Sequence, residues 1–72
     1  MRLKELREER HITQTTLANY LHIKQNTYSQ YENGQRQLSI ETLISLAEFY
    51  DVSIDYLLGL TEEEKHYRPL KN

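Results

Sequence analysis

Gln25, Asn26, Ser29 and Gln30 fall at positions i, i+1, i+4 and i+5 of one polar stretch. That spacing gathers them on one side of a helix. Three of them end in an amide, which carries a hydrogen-bond donor and an acceptor side by side. Adenine shows a matching pair, the N6 amino group and N7, in the major groove. A good bidentate contact of this kind discriminates between bases by about 1–3 kcal/mol. A polar helix face is also the ordinary way to meet water, so these amides point to recognition only if the surrounding elements present them. The other chemistry-bearing residues form no set. His11, His22 and His66 lack metal-ligand spacing, and the chain has no cysteine. Asp51, Ser53 and Asp55 have the types of a catalytic set, but Ser53 is placed to cap a helix and no nucleophile motif surrounds any serine. The expectation is no enzyme, no metal site and no cofactor.

The elements that would position the amides are legible. Thr13 reads as an N-cap, since its hydroxyl can accept from an otherwise orphan backbone N–H. Leu17, Ala18 and Leu21 then recur on one apolar face. His22 and Ile23 form a turn, with Ile23 plugging the angle between helices. A second helix runs from about Lys24 to Glu32. Its Tyr28 and Tyr31, three apart, face the opposite side from the amides. Aromatic rings can stack on the bases of single strands, but this placement favours core packing. Asn33-Gly34 ends the helix, with Gly34 free to take the left-handed conformation. Two helices joined by so short a turn form a helix-turn-helix, a unit whose second helix enters the major groove.

Three more helices complete an all-α reading with no strand. The first spans about Arg2–Arg10, with Leu3 and Leu6 inward. After the polar loop Gln35-Arg36-Gln37-Leu38, Ser39 caps a helix over Ile40–Tyr50. Ser53 caps a short one over Ile54–Leu58, stopped by Gly59. The expected fold is a compact bundle of five short helices over residues 1–60. A short acidic and polar tail comes after it, over 61–72. Glu62-Glu63-Glu64 there reads as a solvated charge run, a turn of helix can begin it, and Pro69 ends any helix. The apolar arc of the fourth helix is wider than one buried face needs, with Ile44 and Phe49 at its margins. Tyr56, Leu57 and Leu60 add to it. This surface is either a full core or a dimer interface, and the reading favours the dimer.

At 72 residues the chain is one domain. A domain this small buries only about 60% of its unfolded surface. The net charge of −2 argues at first against nucleic acid. Its distribution is uneven, however. Residues 1–37 hold six Lys or Arg against four Glu, and residues 38–72 hold three against seven acids. The helix-turn-helix lies in the basic half, and helix N-termini and neutral amides also meet phosphates. The balance implies modest affinity and low non-specific binding. The N-terminus has no apolar signal region, and no apolar run approaches the roughly 20 residues of a membrane span. Together with the absence of cysteine, this favours a cytoplasmic setting.

By Gly34 the pattern resembles the phage-repressor-like helix-turn-helix family, also called Xre or Cro-like. The matching stretches are Leu3-Lys-Glu-Leu-Arg7, Thr13-Gln14, Leu17-Ala18, Tyr31-Glu32-Asn33-Gly34, Ser39-Ile-Glu-Thr-Leu43, Leu46-Ala47 and Val52-Ser53-Ile-Asp-Tyr-Leu-Leu-Gly59. The resemblance implies a lambda-repressor-like bundle of five helices. It implies that Gln14 braces a phosphate and helps position the first reading residue. It places Gln25, Asn26 and Gln30 at base edges and Lys24, Thr27 and Ser29 at flanking contacts. Asn33, Gln35 and Arg36 then lie beside one backbone strand, and Arg7 pairs with Glu32. The chain departs from the family pattern at three positions. His22 stands where Gly is common, Lys24 where Ser or Thr often caps, and Leu38 where Pro is common. The implied function is a sequence-specific regulator of transcription that binds double-stranded DNA. Most simply it is a repressor that occupies a pseudo-palindromic operator as a homodimer, with no sensor domain and no small-molecule ligand. The alternatives are an antitoxin-type DNA-binding component and a protein-interaction module of the same fold.

Overall fold

The computed structural model describes residues 1–64, and among these every regular element is a helix. In chain order they are α1 (Leu3–Glu9), α2 (Gln14–Leu21), α3 (Gln25–Glu32), α4 (Ile40–Tyr50) and α5 (Ile54–Leu58). None is long and apolar enough to cross a membrane.

The starts of three helices are set by single hydroxyls. Thr13, Ser39 and Ser53 each accept from the backbone N–H three residues on, at 3.0–3.1 Å. Removing such a cap typically costs about 1 kcal/mol. α3 begins at Lys24 with no side-chain cap. Its first turn is therefore held by packing and by its neighbours.

All five of these helices stop in the same way. A left-handed residue, at His11, His22, Gly34, Asp51 or Gly59, turns the chain. The next residue then donates its N–H to the carbonyl five positions back. These bonds are Ile12 to Arg7, Ile23 to Ala18, Gln35 to Gln30, Val52 to Ala47 and Leu60 to Asp55, at 2.9–3.0 Å. The arrangement satisfies carbonyls that a helix end leaves orphaned. At three of the turns it also brings the residue just after the left-handed one against the core, whereas Gln35 is exposed. Val52 is fully buried, and Ile12 and Ile23 pack against the core. Leu60 occupies the same place in its turn yet remains 73% exposed.

The core draws on every helix. Leu3 and Leu6 come from α1, Leu17 and Ala18 from α2, Tyr28 from α3, Leu46, Ala47 and Tyr50 from α4, and Tyr56 and Leu57 from α5. Tyr28 is fully buried, and Tyr31 meets it edge-on at 6.4 Å between ring centres. Both rings are thereby committed to packing. Two residues expected at a dimer surface belong here instead. Leu57 is 0% exposed and Tyr56 is 8% exposed beneath the Arg2 guanidinium, 4.2 Å from its ring centre. Side chains already enclosed by their own chain have little surface left to offer a partner. Ile40, Ile44 and Leu60 keep theirs, while Phe49 is half-buried against Tyr20 at 4.8 Å.

The backbone of the segment after α5 is tied to the bundle, while Glu62, Glu63 and Glu64 are exposed, as expected of a solvated charge run. The Arg2 backbone N–H donates to Leu57 O, and its side chain to Tyr56 O and Thr61 O. Ser53 N–H donates to Glu64 O at 2.9 Å. Glu62 and Glu64 lie 3.6 and 3.8 Å from Arg2 and Arg10. Such exposed ion pairs contribute little, so the backbone bonds do most of the holding. Thr61 Oγ1 accepts from Glu63 N–H, closing a turn where a helical one was open to expectation. The expected break at Pro69 lies outside the described residues.

His22 supplies a direct test of the turns. A non-glycine residue in left-handed geometry costs roughly 1–2 kcal/mol, and glycine loses roughly 0.5–1 kcal/mol of unfolded-state freedom. His22→Gly should therefore stabilise the fold by about 0.5–1 kcal/mol. Thermal unfolding should show Tm raised by about 2–8 °C. A lowered Tm would mean that the imidazole makes contacts outweighing its backbone strain.

Candidate nucleic-acid interface

α2 and α3 meet through the turn at His22-Ile23-Lys24, and this corner sets the amide face. Gln25 and Asn26 are exposed on the first turn of α3, with Gln30 half-buried one turn later. Thr27 and Ser29 flank them, half-buried, and Lys24 is exposed at the helix start. Asn33, Gln35 and Arg36 are exposed where the chain leaves α3. Arg36 Nε donates to Gln30 Oε1 at 3.0 Å, joining the loop to the face.

Behind the face lies a chain of polar contacts. Arg7 donates to both Glu32 carboxylate oxygens, Nε at 2.7 Å and Nη2 at 3.2 Å, and its Nη1 to Ile12 O at 3.0 Å. This joins α1 to the last residue of α3. The Glu32 side chain is 1% exposed and that of Arg7 13%. Gln14 Nε2 donates to Glu32 Oε1 at 3.1 Å, and Gln25 Nε2 reaches Gln14 Oε1 at 3.5 Å. Thr15 Oγ1 donates to Gln25 Oε1 at 3.0 Å. The structure thus brings Arg7, Glu32, Gln14 and Gln25 together. Asn26, Thr27, Ser29, Asn33 and Gln35 stand outside that chain of contacts.

Thr15 was not legible as part of the site. Its position next to Gln14 at the start of α2 gives no sign that it meets a residue ten further along. Only the angle between α2 and α3 brings the two side chains together.

The electrostatics centre on Glu32. Burial alone would push its carboxyl up. Hydrogen bonds from Arg7 and Gln14 outweigh that and hold it below the ordinary value of 4.5. The Tyr28 hydroxyl also draws it down, although it lies outside strict hydrogen-bonding geometry. The Arg7 guanidinium is raised in turn by its bond to Glu32, against the opposing effect of burial. Burial drives the Tyr28 phenol well above its ordinary value and pushes Tyr50 up to about 12. Both tyrosines therefore stay neutral at physiological pH. Among the described residues, no group of His, Cys, Asp and Glu could hold a metal ion.

A helix-turn-helix family model matches residues 3–57, which include all five helices except the last residue of α5. The chain belongs to the helix-turn-helix family. It is 44% identical over 64 residues to the HTH-type transcriptional regulator ImmR of Bacillus subtilis, covering 89% of this chain and 50% of that protein. It is 40% identical over 68 residues to the HTH-type transcriptional regulator AnsR of the same organism, covering 94% and 58%. A third relative is the cryptic phage CTXphi transcriptional repressor RstR of Vibrio cholerae, 38% identical over 61 residues, covering 85% and 55%. The chain spans about half the length of the curated relatives it matches. No solved structure matches it. All three of these relatives are named as transcriptional regulators or repressors.

The Arg7–Glu32 pair can be tested in two ways. Removing one partner of a buried pair strands the other, at about 3–5 kcal/mol. Arg7 keeps an edge to solvent, so Arg7→Ala should destabilise by about 3 kcal/mol. A double-mutant cycle with Glu32→Ala in urea should show strong coupling, and additive losses would disprove the interaction. The depressed Glu32 carboxyl also gives a pH signature. Below 4.5 the unfolded chain takes up a proton at Glu32 before the folded one does. Stability from this group is thus full above 4.5 and is lost as pH falls through the lower folded value. Glu32→Gln should remove that part of the acid dependence, and an unchanged profile would refute it.

Proposed function

We propose that this chain is the DNA-reading unit of a transcription regulator, a repressor that binds a pseudo-palindromic operator as a homodimer. α3 lies in the major groove, where Gln25, Asn26 and Gln30 read base edges. Gln14, Lys24, Thr27, Ser29, Asn33, Gln35 and Arg36 meet the sugar–phosphate backbone. The observation that carries this reading is the exposed pair of amides on the first turn of α3, Gln25 and Asn26, of which Gln25 is held from behind by α2. The N-terminal residues of a recognition helix are the ones that contact bases. Membership of the helix-turn-helix family, and relatives named as regulators and a repressor, support it. Neutral amides with few cations imply that affinity depends on fit more than on total charge.

Two copies are required by reach. One reading helix covers a few base pairs, and a two-fold pair places its helices about 34 Å apart, one turn of duplex. Leu60 supports a second copy, because it is 73% exposed where the apolar residues at the corresponding position of other turns, Ile12, Ile23 and Val52, pack inward. Together with Ile44 on the rim of α4, it is the surface on which the dimer is proposed to form. Leu60→Asp should weaken self-association, read by sedimentation. An unchanged dimer in both Leu60→Asp and Ile44→Asp would place the interface elsewhere.

The function itself is tested by selecting sequences from a random duplex pool and measuring variants against the winner. Gln25→Ala should lose discrimination at one base position by about 1–3 kcal/mol while keeping its fold. Lys24→Ala and Arg36→Ala should weaken all duplexes nearly equally and flatten the salt dependence. If alanine at Gln25, Asn26 and Gln30 together leaves sequence preference intact, α3 is not the reader.

A further inference from the structure

Gln25 is held on both sides of its amide, and the contacts have a direction. The Glu32 carboxylate only accepts hydrogen bonds, so Gln14 must turn its amino group towards it. The Gln14 oxygen is then left facing Gln25, which can meet it only with an N–H. The Gln25 oxygen is thereby turned the other way, to the Thr15 hydroxyl at 3.0 Å. Polarity set at a buried ion pair is passed through two amides to an exposed side chain.

We propose that Thr15 is a positioning residue that fixes the amide of Gln25 in one orientation and so restricts which base Gln25 accepts. The inference rests on Gln25 being a base reader. With one N–H on Gln14 and one lone pair on Thr15, Gln25 keeps one donor and one acceptor free. Adenine offers the complementary pair. An unheld amide could turn its amino group to the acceptors of guanine or thymine, or its carbonyl to the amino group of cytosine. A held one keeps its free donor and acceptor in a fixed order and cannot turn them over without breaking a bond. The Gln14 contact is long, at 3.5 Å, which leaves the Thr15 hydroxyl as the firmer of the two restraints. Thr15 itself is exposed, so its replacement does not disturb the core.

The test uses the full chain, a duplex selected from a random pool, and every single-base variant of it, with binding read by fluorescence anisotropy at fixed salt. Gln25→Ala identifies the base pair that Gln25 reads. Thr15→Val, close in shape but without the donor, should lose discrimination there by about twofold to tenfold, the range for one neutral hydrogen bond. Discrimination at other base pairs and Tm should stay as in the wild type. Thr15→Ala should give the same pattern, and Thr15→Ser should restore the wild-type preference. If Gln25→Ala loses discrimination and Thr15→Val does not, the positioning role is overturned while the reading helix stands. If Thr15→Val weakens every duplex equally, Thr15 is a backbone contact and the proposal fails. If Gln25→Ala changes nothing, the base-reading assignment falls and takes this inference with it.

Discussion

A buried charge pair organises this small domain. Arg7 and Glu32 are 25 positions apart in sequence, yet both guanidinium–carboxylate bonds form within a site almost closed to water. An ion in that position must be paired, because an unpaired one would carry a large desolvation penalty. The pairing fixes where α1 sits against the end of α3. The third Arg7 bond, to Ile12 O, ties in the turn that leads to α2. Three helices thus take their relative positions from one guanidinium. Glu32 also faces the fully buried Tyr28, so the same carboxylate borders the core on one side and the amide chain on the other.

The outer face uses a different chemistry. Its side chains are mainly neutral amides and hydroxyls, with Lys24 and Arg36 at its edges. Amides are weak individually and depend on orientation. This explains why so many of the polar contacts in the molecule gather behind them. Gln14, Thr15 and Arg36 each engage a side chain of α3. A cationic face would need less support, since point charges attract phosphates from many directions.

Most of the helical framework was legible because local chemistry governs it. Thr13, Ser39 and Ser53 start helices wherever they stand before an apolar period, and Gly34 and Gly59 mark two of the stops. The apolar spacing gave the inward set, including Tyr28. His11 and Asp51 were opaque as left-handed stops, since their types do not require that conformation. The core role of Leu57 was hidden for a related reason. An apolar period does not say whether its own chain or another will cover it. The ion pairs of Glu62 and Glu64 depend on Arg2 and Arg10, which flank α1 some 60 and 54 positions away, and local composition carries no trace of them. Thr15 was missed for the same reason on a shorter scale.

The clasp at Arg2 gives the domain a particular load path. Its main chain and side chain hold carbonyls of Leu57, Tyr56 and Thr61 together, and Ser53 holds Glu64. Tension applied through the two ends of residues 1–64 would meet these bonds first, acting side by side, before any of it reached α2 and α3. The corner that presents the amides is thus mechanically bypassed. A polypeptide attached at either end could tug or reorient the domain as a whole without bending its recognition corner.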